Sequence, residues 1–195
     1  MRIIGGLKRG TRLVARRGLE TRPTADRARE SLFNMLEGGR LRRPDDSLPI
    51  PDARVLDAFA GTGAFGLEAL SRGAASAVFM ENARTAAAAL NQNIRHCHAE
   101  DRTEVLTIDA AKPPPTRRGC DLVFLDPPYG EGLANTALAM LLARGWVADN
   151  ALLVVQTHPK ETLEVPAGLS LFEQRSVGSA RFAFLTRQPG NGASG

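Results

Sequence analysis

Between residues 53 and 156, short apolar segments rich in Val, Leu and Phe alternate with segments of helical periodicity. The strand-like segments are 53–58, 76–80, 104–108, 120–125 and 151–156, and the helical ones are about 64–72, 83–98 and 133–143. Such alternation predicts an α/β fold with a parallel sheet covered by helices on both faces. Two further segments, 169–176 and 181–187, flank Gly178 and predict a closing antiparallel pair, which gives a mostly parallel sheet of seven strands. Ligands of such sheets bind beyond the carboxyl ends of the strands.

The composition fits one globular domain with a small appendage. The chain has 195 residues, of which 43% are hydrophobic, enough for a sizeable core. No apolar run approaches the roughly 20 residues needed to cross a bilayer, and the basic N-terminus lacks the apolar stretch of a secretory signal. We therefore expect a cytoplasmic protein with no membrane contact.

Metal binding is not expected. Cys97 and Cys120 are far apart and lack metal-ligand spacing, so free thiols in a reducing compartment are the simplest interpretation. His96 and His98 flank Cys97, but consecutive side chains of a helix point in different directions and do not converge on one ion.

Basic residues concentrate at the N-terminus. Residues 1–43 hold twelve Lys and Arg against four Asp and Glu, a formal charge of +8, and the rest of the chain is −4 because the whole chain is +4. Arginine forks suit phosphates, so this part predicts a nucleic-acid-binding appendage. The alternative is an ordinary solvated terminus, in which Arg27 simply pairs with Glu30. The candidate contacts are Arg2, Lys8, Arg9, Arg12, Arg16, Arg17, Arg22, Arg27 and Arg29.

Three parts of the chain follow from these patterns. Residues 1–43 form the appendage, with a hairpin at 2–17 and a helix at about 25–38 for which Thr24 is the expected N-cap. Residues 44–187 form the main domain, and 188–195 are a tail of disordered composition.

A glycine-rich bend follows the first strand of the domain. Residues 61–66 match the pattern G-x-G-x-x-G, which is common at dinucleotide sites. Asp57, at the end of the strand, would repel a pyrophosphate but attract a ligand that carries an ammonium and a sulfonium. The glycines let such a ligand approach the backbone closely. The pattern therefore predicts S-adenosyl-L-methionine as cofactor, with a nicotinamide dinucleotide as the formal alternative.

Two more acids follow neighbouring strands. Glu81 ends the second strand, where a carboxylate suits a ribose diol, and Asp109 ends the third, where it suits an adenine amino group. Strand ends are where a ligand of this fold would lie. The predicted cofactor residues are Asp57, Phe59, Ala60, Gly61, Thr62, Gly63, Glu81, Asn82, Asp109, Ala110 and Asp126.

A rigid corner follows the strand at 120–125. Asp126 is succeeded by Pro127 and Pro128, which fix φ and remove backbone donors, and then by Tyr129. A fixed carboxylate and carbonyl accept the hydrogens of an amino group, and an aromatic face stacks on a base. Asp126, Pro127 and Tyr129 are therefore the predicted catalytic residues, although the same tetrapeptide also makes a good β-turn.

With both motifs in place, the chain resembles Rossmann-like class I methyltransferases that act on exocyclic nitrogens. It resembles more closely the RsmD-type bacterial 16S ribosomal RNA guanine-N(2) methyltransferases. That resemblance is carried by residues 1–6, 22–30, 31–34, 66–74 and 122–129, and Arg-Pro-Thr-x-Asp-Arg-x-Arg-Glu at 22–30 is its most restrictive part.

The resemblance implies a monomer that methylates the 2-amino group of one guanine in 16S ribosomal RNA, within the 30S particle or its precursor. It also implies that RNA is the partner of the basic appendage. Gln156 departs from the family, which often has Glu there. The remaining alternatives are an N-methyltransferase for adenine in DNA or for glutamine in a protein, and a non-catalytic RNA-binding assembly factor.

Overall fold

The computed structural model describes residues 1–14, 23–128, 132–158 and 161–187. Its helices are α1 (Pro23–Glu37), α2 (Ala64–Ser71), α3 (Arg84–His96) and α4 (Leu133–Ala143). Its strands are β1 (Arg54–Ala58), β2 (Ser76–Met80), β3 (Thr103–Leu106), β4 (Cys120–Leu125), β5 (Val147–Thr157), β6 (Leu169–Val177) and β7 (Ala180–Arg187). No helix in the described ranges is both long and apolar enough to span a bilayer.

The strands form one seven-stranded sheet in the order β3-β2-β1-β4-β5-β7-β6. The first five strands in that order run parallel, and β7 is antiparallel to both β5 and β6. The chain therefore has the mostly parallel α/β fold that its alternating pattern predicts. The carboxyl ends of β1, β2, β3 and β4 meet at one edge of the sheet, which is where ligands of such sheets bind.

Helices cover both faces of the sheet. On one face α1, α2 and α3 pack through Leu32, Leu67 and Leu90 against Phe79 and Phe124 of the sheet. On the other face α4 packs through Leu138 and Leu141 against Leu56, Val123 and Leu153 of the sheet. Strand residues alternate between the two clusters because successive side chains of a strand point to opposite faces.

The N-terminal hairpin is less regular than predicted. Its two expected strands are reduced to one antiparallel bridge between Arg2 and Arg12, with a 3-10 turn at Gly6–Lys8 between them. Ile3 and Leu13 are 0% and 5% exposed. Backbone hydrogen bonds join the two arms, with the N–H groups of Ile3, Gly10 and Leu13 donating to the carbonyl oxygens of Thr11, Ile3 and Met1. Burial of Ile3 and Leu13 attaches the hairpin to the core that contains α1 and α2.

Several element boundaries differ from the sequence prediction. Helix α1 already begins at Pro23, so Thr24 is not its N-cap; proline suits the first turn of a helix because its missing N–H has no partner there. Strand β3 ends at Leu106 rather than 108. Strand β5 begins at Val147 rather than 151, and its pairing with β4 shifts register between Cys120 and Leu122. The polar residues Asp149 and Asn150, which precede the predicted strand, therefore belong to β5. The predicted tail at 188–195 lies outside the described residues.

Candidate active site

The glycine bend joins β1 to α2 in left-handed backbone conformations. Phe59, Gly61 and Gly63 have φ of 64°, 55° and 81°. A Cβ added at Gly63 would lie 2.3 Å from Leu90 Cδ1, whereas one at Gly61 would meet nothing within 4 Å. Gly63 is thus required by packing beneath the bend. The left-handed φ of Gly61 favours glycine, and Gly61 faces open space, where a ligand can approach the backbone.

Asp57 supports this bend from below. Its side chain is 1% exposed, and its Oδ2 accepts the backbone N–H of Gly66 at 2.9 Å. Burial raises the pKa of Asp57 to about 8, and the neighbouring carboxylates of Asp126 and Glu81 raise it further against the effect of the Gly66 hydrogen bond. The carboxyl group therefore holds the start of α2 in position and is easily ionised only when positive charge comes near.

Glu81 fixes the opposite side of the bend. Its Oε2 accepts the N–H of Gly61 at 2.8 Å, and its Oε1 accepts the N–H of Ala83 at 2.7 Å. Each carboxylate oxygen has a second lone pair, so Glu81 can order the bend and still accept from a ligand hydroxyl. Asn82, the next residue, is exposed.

Asp109 lies beyond the end of β3 in a short loop. Its Oδ1 accepts the N–H of Ala111 at 2.9 Å, and the side chain is half-buried. Ala110 is 2% exposed and packs in the core beside α4. Asp109 and Glu81 thus follow neighbouring strands at the same edge of the sheet, but Asp109 lies three residues past the end of β3 rather than directly after the strand, as predicted from the sequence.

Asp126 and Pro127 directly follow β4. Asp126 is half-buried and Pro127 is buried. Burial raises the pKa of Asp126 to about 6. Its side chain lines a small pocket with Leu32 of α1, Phe65 of α2 and Gln156 of β5. Tyr129 lies outside the described residues.

The proline corner and the glycine bend share one face of the sheet. Asp57 pairs with Phe124 in the parallel register of β1 and β4, and Asp126 comes two residues after Phe124. Side chains two apart along an extended chain point to the same face. Phe65, just after the bend, also stacks on Phe124 with 5.3 Å between ring centroids. Two motifs that are more than 50 residues apart in the sequence therefore meet at one site.

The basic residues of the appendage divide into three groups. Arg2, Arg9, Arg12 and Arg27 are exposed, and Lys8 is half-buried. Arg16, Arg17 and Arg22 lie outside the described residues. The structure corrects the prediction for Arg29, which is 4% exposed, donates to the carbonyl oxygen of Arg2 at 2.7 Å and pairs with Asp26 at 3.2 Å. An arginine that secures the hairpin to α1 is not open to phosphate.

Several buried polar residues were not singled out from the sequence, and two of them lie on α2 and α3. Glu68 of α2 is 0% exposed and accepts the N–H groups of Ile4 and Gly5 at 2.8 and 2.7 Å. Asn93 of α3 is also 0% exposed, and it accepts the N–H of Val14 at 2.6 Å. Each interrupts an apolar face of a helix. A polar residue in such a position indicates a buried side chain that forms hydrogen bonds, and this was the one indication of their role in the sequence. Both attach the hairpin to the body of the protein.

No group of His, Cys, Asp or Glu within the described ranges has an arrangement that would hold a metal ion. Cys97 and Cys120 are both buried free thiols, and burial raises the pKa of each. The candidate site consists of carboxylates, backbone amides and a proline corner.

A seven-stranded sheet with this order, a glycine bend after β1 and an acidic proline corner after β4 define a class I methyltransferase. The chain matches the family described as conserved hypothetical protein 95 over residues 1–186, and it belongs to that family.

Curated relatives are similar along almost the whole chain. Ribosomal RNA small subunit methyltransferase D of Haemophilus influenzae is 36% identical over 184 residues, which cover 91% of this chain and 89% of the relative. The protein of the same name from Escherichia coli strain K12 is 36% identical over 193 residues, covering 96% and 90%. The solved structure of the Escherichia coli protein yhhF superposes with a TM-score of 0.80 at 36% identity, covering 97% of this chain and 98% of that one.

Proposed function

We propose that this methyltransferase uses S-adenosyl-L-methionine to methylate the exocyclic 2-amino group of a guanine in the 16S ribosomal RNA of the small subunit. The observation that carries the proposal is the shared face of Asp126 and the glycine bend. A methyl donor held at the bend and an amine held at the proline corner would meet there. The names of the relatives supply the RNA class, and the chemistry of the corner supplies the kind of nitrogen.

The residues around the bend suit this cofactor. Gly61 presents backbone to open space, Glu81 retains lone pairs for a ribose diol, and Asp109 lies one strand further for an adenine amino group. Phe59, Ala60, Thr62, Gly63, Asn82 and Ala110 complete the proposed contacts. When bound, the cofactor supplies a methyl group on a positively charged sulfur. That charge would favour ionisation of Asp57, whose pKa is raised in the absence of a cation.

The proline corner would prepare the amine. The lone pair of a guanine 2-amino group is delocalised into the ring, so the group is a poor nucleophile. Asp126 and the carbonyl of Pro127 would accept its two N–H bonds and turn the lone pair toward the methyl group. Tyr129 would stack on the base after it leaves its helix or loop stack. Orientation and a nearby negative charge are thus the main sources of rate enhancement.

Charge and proton transfer follow from the same geometry. As the lone pair forms the new N–C bond, the bond between the methyl carbon and sulfur would break and leave its electron pair on sulfur, which becomes neutral. The nitrogen would become positively charged, and ionised Asp126 would stabilise that charge. One N–H proton then leaves to Asp126 or to water, which restores the neutral amine. Because the pKa of Asp126 is about 6, the carboxylate is mostly ionised at neutral pH.

The exposed basic residues of the appendage would contact RNA phosphates. We propose Arg2, Lys8, Arg9, Arg12 and Arg27 for this role, together with Arg16, Arg17 and Arg22. We also propose that the enzyme acts in the cytoplasm as a monomer, on a 30S particle or its precursor.

One experiment tests the proposal against its alternatives. Labelled methyl is offered from S-adenosyl-L-methionine to 30S particles, free 16S RNA, duplex DNA and a mixture of ribosomal proteins. We expect label in the RNA of the particles and, after digestion to nucleosides, in N2-methylguanosine. Label in adenine of DNA or in glutamine would replace the proposed substrate. The absence of any transfer, with intact cofactor binding, would favour a non-catalytic assembly factor.

A further inference from the structure

A groove of about 500 Å³ runs between α1 and the edge strand β6. It follows α1 from Arg27 to Gly38, a rise of about 16 Å at 1.5 Å per residue. Glu30, Ser31 and Asn34 line it from the helix, and Glu173 and Arg175 line it from the strand. Arg40 lies at its far end.

The groove begins beside the proposed active site. In the sheet, Arg175 of β6 lies opposite Phe182 of β7, and Phe182 lies opposite Gln156 of β5. Leu125 pairs with Val155, so Asp126 continues the same row next to Gln156. Neighbouring strands are about 4.8 Å apart, and three such steps put the Cα of Arg175 about 14 Å from that of Asp126.

The Asp126 pocket and the groove lie beside the same helix, α1, and on the same face of the sheet. Leu32 of α1 lines the small pocket that holds Asp126, Gln156 and Phe182. Phe182 belongs to the core cluster on the α1 face of the sheet, and Arg175 lies opposite it on that same face. A nucleic acid strand that leaves the active site across the N-terminal half of α1 therefore enters the groove.

The charges of the groove fit a nucleic acid strand. Arg27 and Arg40 are exposed, and neither has an ion-pair partner in the part of the chain that the structure describes. Arg175 pairs with Glu173 across an exposed edge. Arginine guanidinium groups bind phosphates through paired hydrogen bonds. The arginines at both ends of the groove thus suit a backbone that runs along it.

The remaining groups suit bases rather than a second row of phosphates. Glu30, Glu173 and Asn34 offer acceptors and an amide to base edges, which a single strand exposes and an RNA duplex hides in a deep groove. Phe172, next to Glu173 on β6, is 46% exposed, and its ring lies 6.4 Å from that of Phe184. An aromatic ring held in this way gives a base a surface on which to stack.

We propose that the groove between α1 and β6 binds a short single-stranded RNA segment that flanks the target nucleotide. This inference rests on the proposed function, since the segment is part of the same substrate. Arg27 and Arg175 hold its phosphates at the end near Asp126, and Arg40 holds them at the far end. The acids and Asn34 disfavour a duplex.

The test compares two double variants that each remove two arginine charges. Arg27→Gln with Arg175→Gln changes the groove. Arg117→Gln with Arg144→Gln is the control, because both of these residues are exposed and precede the amino ends of β4 and β5, at the opposite edge of the sheet. Binding of a fluorescein-labelled oligouridylate of about twelve nucleotides, a length in the range of single-strand sites, is measured by anisotropy at several salt concentrations. Apparent KM and kcat are measured with 30S particles.

For the groove variant we expect weaker oligouridylate binding, with a log–log salt slope reduced by about 1.4 for two lost single-strand contacts. We also expect a higher KM for particles, with kcat and the affinity for S-adenosylhomocysteine unchanged. Affinity and slope equal to those of the control would overturn the proposal. Unchanged RNA affinity with a higher KM would overturn it too, in favour of a ribosomal protein in the groove.

The binding measurement needs no methyl transfer. If wild-type enzyme transfers no methyl group to RNA, the proposed function fails, while the anisotropy still decides whether the groove binds RNA. The two failures therefore give different results.

Discussion

The side-chain amide of Asn93 donates to the carbonyl oxygen of Thr62 at 2.9 Å, in the middle of the glycine bend. The same amide donates to the carbonyl oxygen of Val14 at 3.1 Å, and its oxygen accepts the Val14 N–H at 2.6 Å. One buried side chain on α3 thus joins the bend to the N-terminal hairpin. The hairpin is part of the support of the cofactor site as well as a candidate RNA contact.

Replacing this link should weaken cofactor binding. In Asn93→Leu the backbone groups of Val14 and Thr62 lose their partner, and each buried group left unpaired costs about 1–3 kcal/mol. We expect the free energy of unfolding to fall by at least about 3 kcal/mol on this basis. We also expect affinity for S-adenosylhomocysteine, measured by calorimetry at a temperature where circular dichroism shows folded protein, to fall about tenfold because the bend is less preorganised.

Asn91→Leu is the matched control, since Asn91 is an exposed residue of the same helix and its side chain donates to the carbonyl oxygen of Ala87 in its own helix. It should bind the ligand as wild type does. Equal ligand affinity in folded Asn93→Leu would show that the bend does not depend on this residue.

Asp57 should make stability depend on pH in a defined direction. Its pKa is about 8 in the folded protein and 3.8 as a model value, so the folded state binds the proton more tightly than the unfolded state. The contribution of Asp57 to the free energy of unfolding is therefore complete below about pH 4 and is lost as pH rises through about 8. Urea unfolding of the ligand-free protein between pH 5 and pH 8.5 should show this decline.

Asp57→Asn keeps an acceptor for the Gly66 N–H and cannot ionise, so its free energy of unfolding should decline less over the same range. A wild-type and variant pair with parallel pH curves would mean that Asp57 does not titrate in this range.

Glu81→Gln tests the support of the bend from its other side. The amide nitrogen of glutamine donates and cannot accept, so one of the two N–H groups, of Gly61 or of Ala83, faces another donor. We expect affinity for S-adenosylhomocysteine to fall at least about tenfold, from the unpaired amide and from the lost partner of the ribose. Glu100→Gln, an exposed acid that follows α3, should leave the affinity unchanged, and an equal effect of both variants would contradict this role.

The role of the hairpin in RNA binding should be tested by substitutions that remove charge and not by deletion of the hairpin. Removal of residues 1–17 would take from buried Glu68 and Asn93 the partners that the hairpin supplies, so loss of RNA binding in such a variant would report unfolding. Arg9→Gln with Arg12→Gln changes two exposed side chains instead. We expect unchanged stability and a log–log salt slope for RNA binding lower by about 1.4 to 1.8 for two phosphate contacts. An unchanged slope would remove the hairpin from the RNA interface.

Much of this fold was accessible from the sequence because its signals are local. The helices and most strands follow from apolar periodicity, and the edge of the sheet that carries the site follows from acids such as Glu81 and Asp126 placed after apolar runs. The strand β5 is the exception, because Asp149 and Asn150 look like a turn while the register shift against β4 includes them in the strand.

What the sequence hides is long-range pairing. Arg29 has the same appearance in the sequence as Arg27, yet it is buried against the hairpin while Arg27 is exposed. The roles of Asn93 and Glu68 do not show in the sequence, because their hydrogen-bond partners lie in a segment some 60 to 80 residues away. The groove between α1 and β6 likewise exists only when the last strands close the sheet.

The most direct test of the central claim is the single-turnover rate of methyl transfer by Asp126→Ala, with the affinity for S-adenosylhomocysteine measured on the same preparation. Asp126→Asn is the companion variant, because it keeps one acceptor for the amine without the charge. Wild-type rates should decline below about pH 6 as Asp126 is protonated, and the Asn variant should lack this decline. We predict a loss of at least about a hundredfold in rate for Asp126→Ala, the scale of a lost electrostatic contact to the transition state, with nearly unchanged ligand affinity. A near-normal rate in that variant would contradict the assignment of Asp126 and, with it, the chemistry proposed for this site.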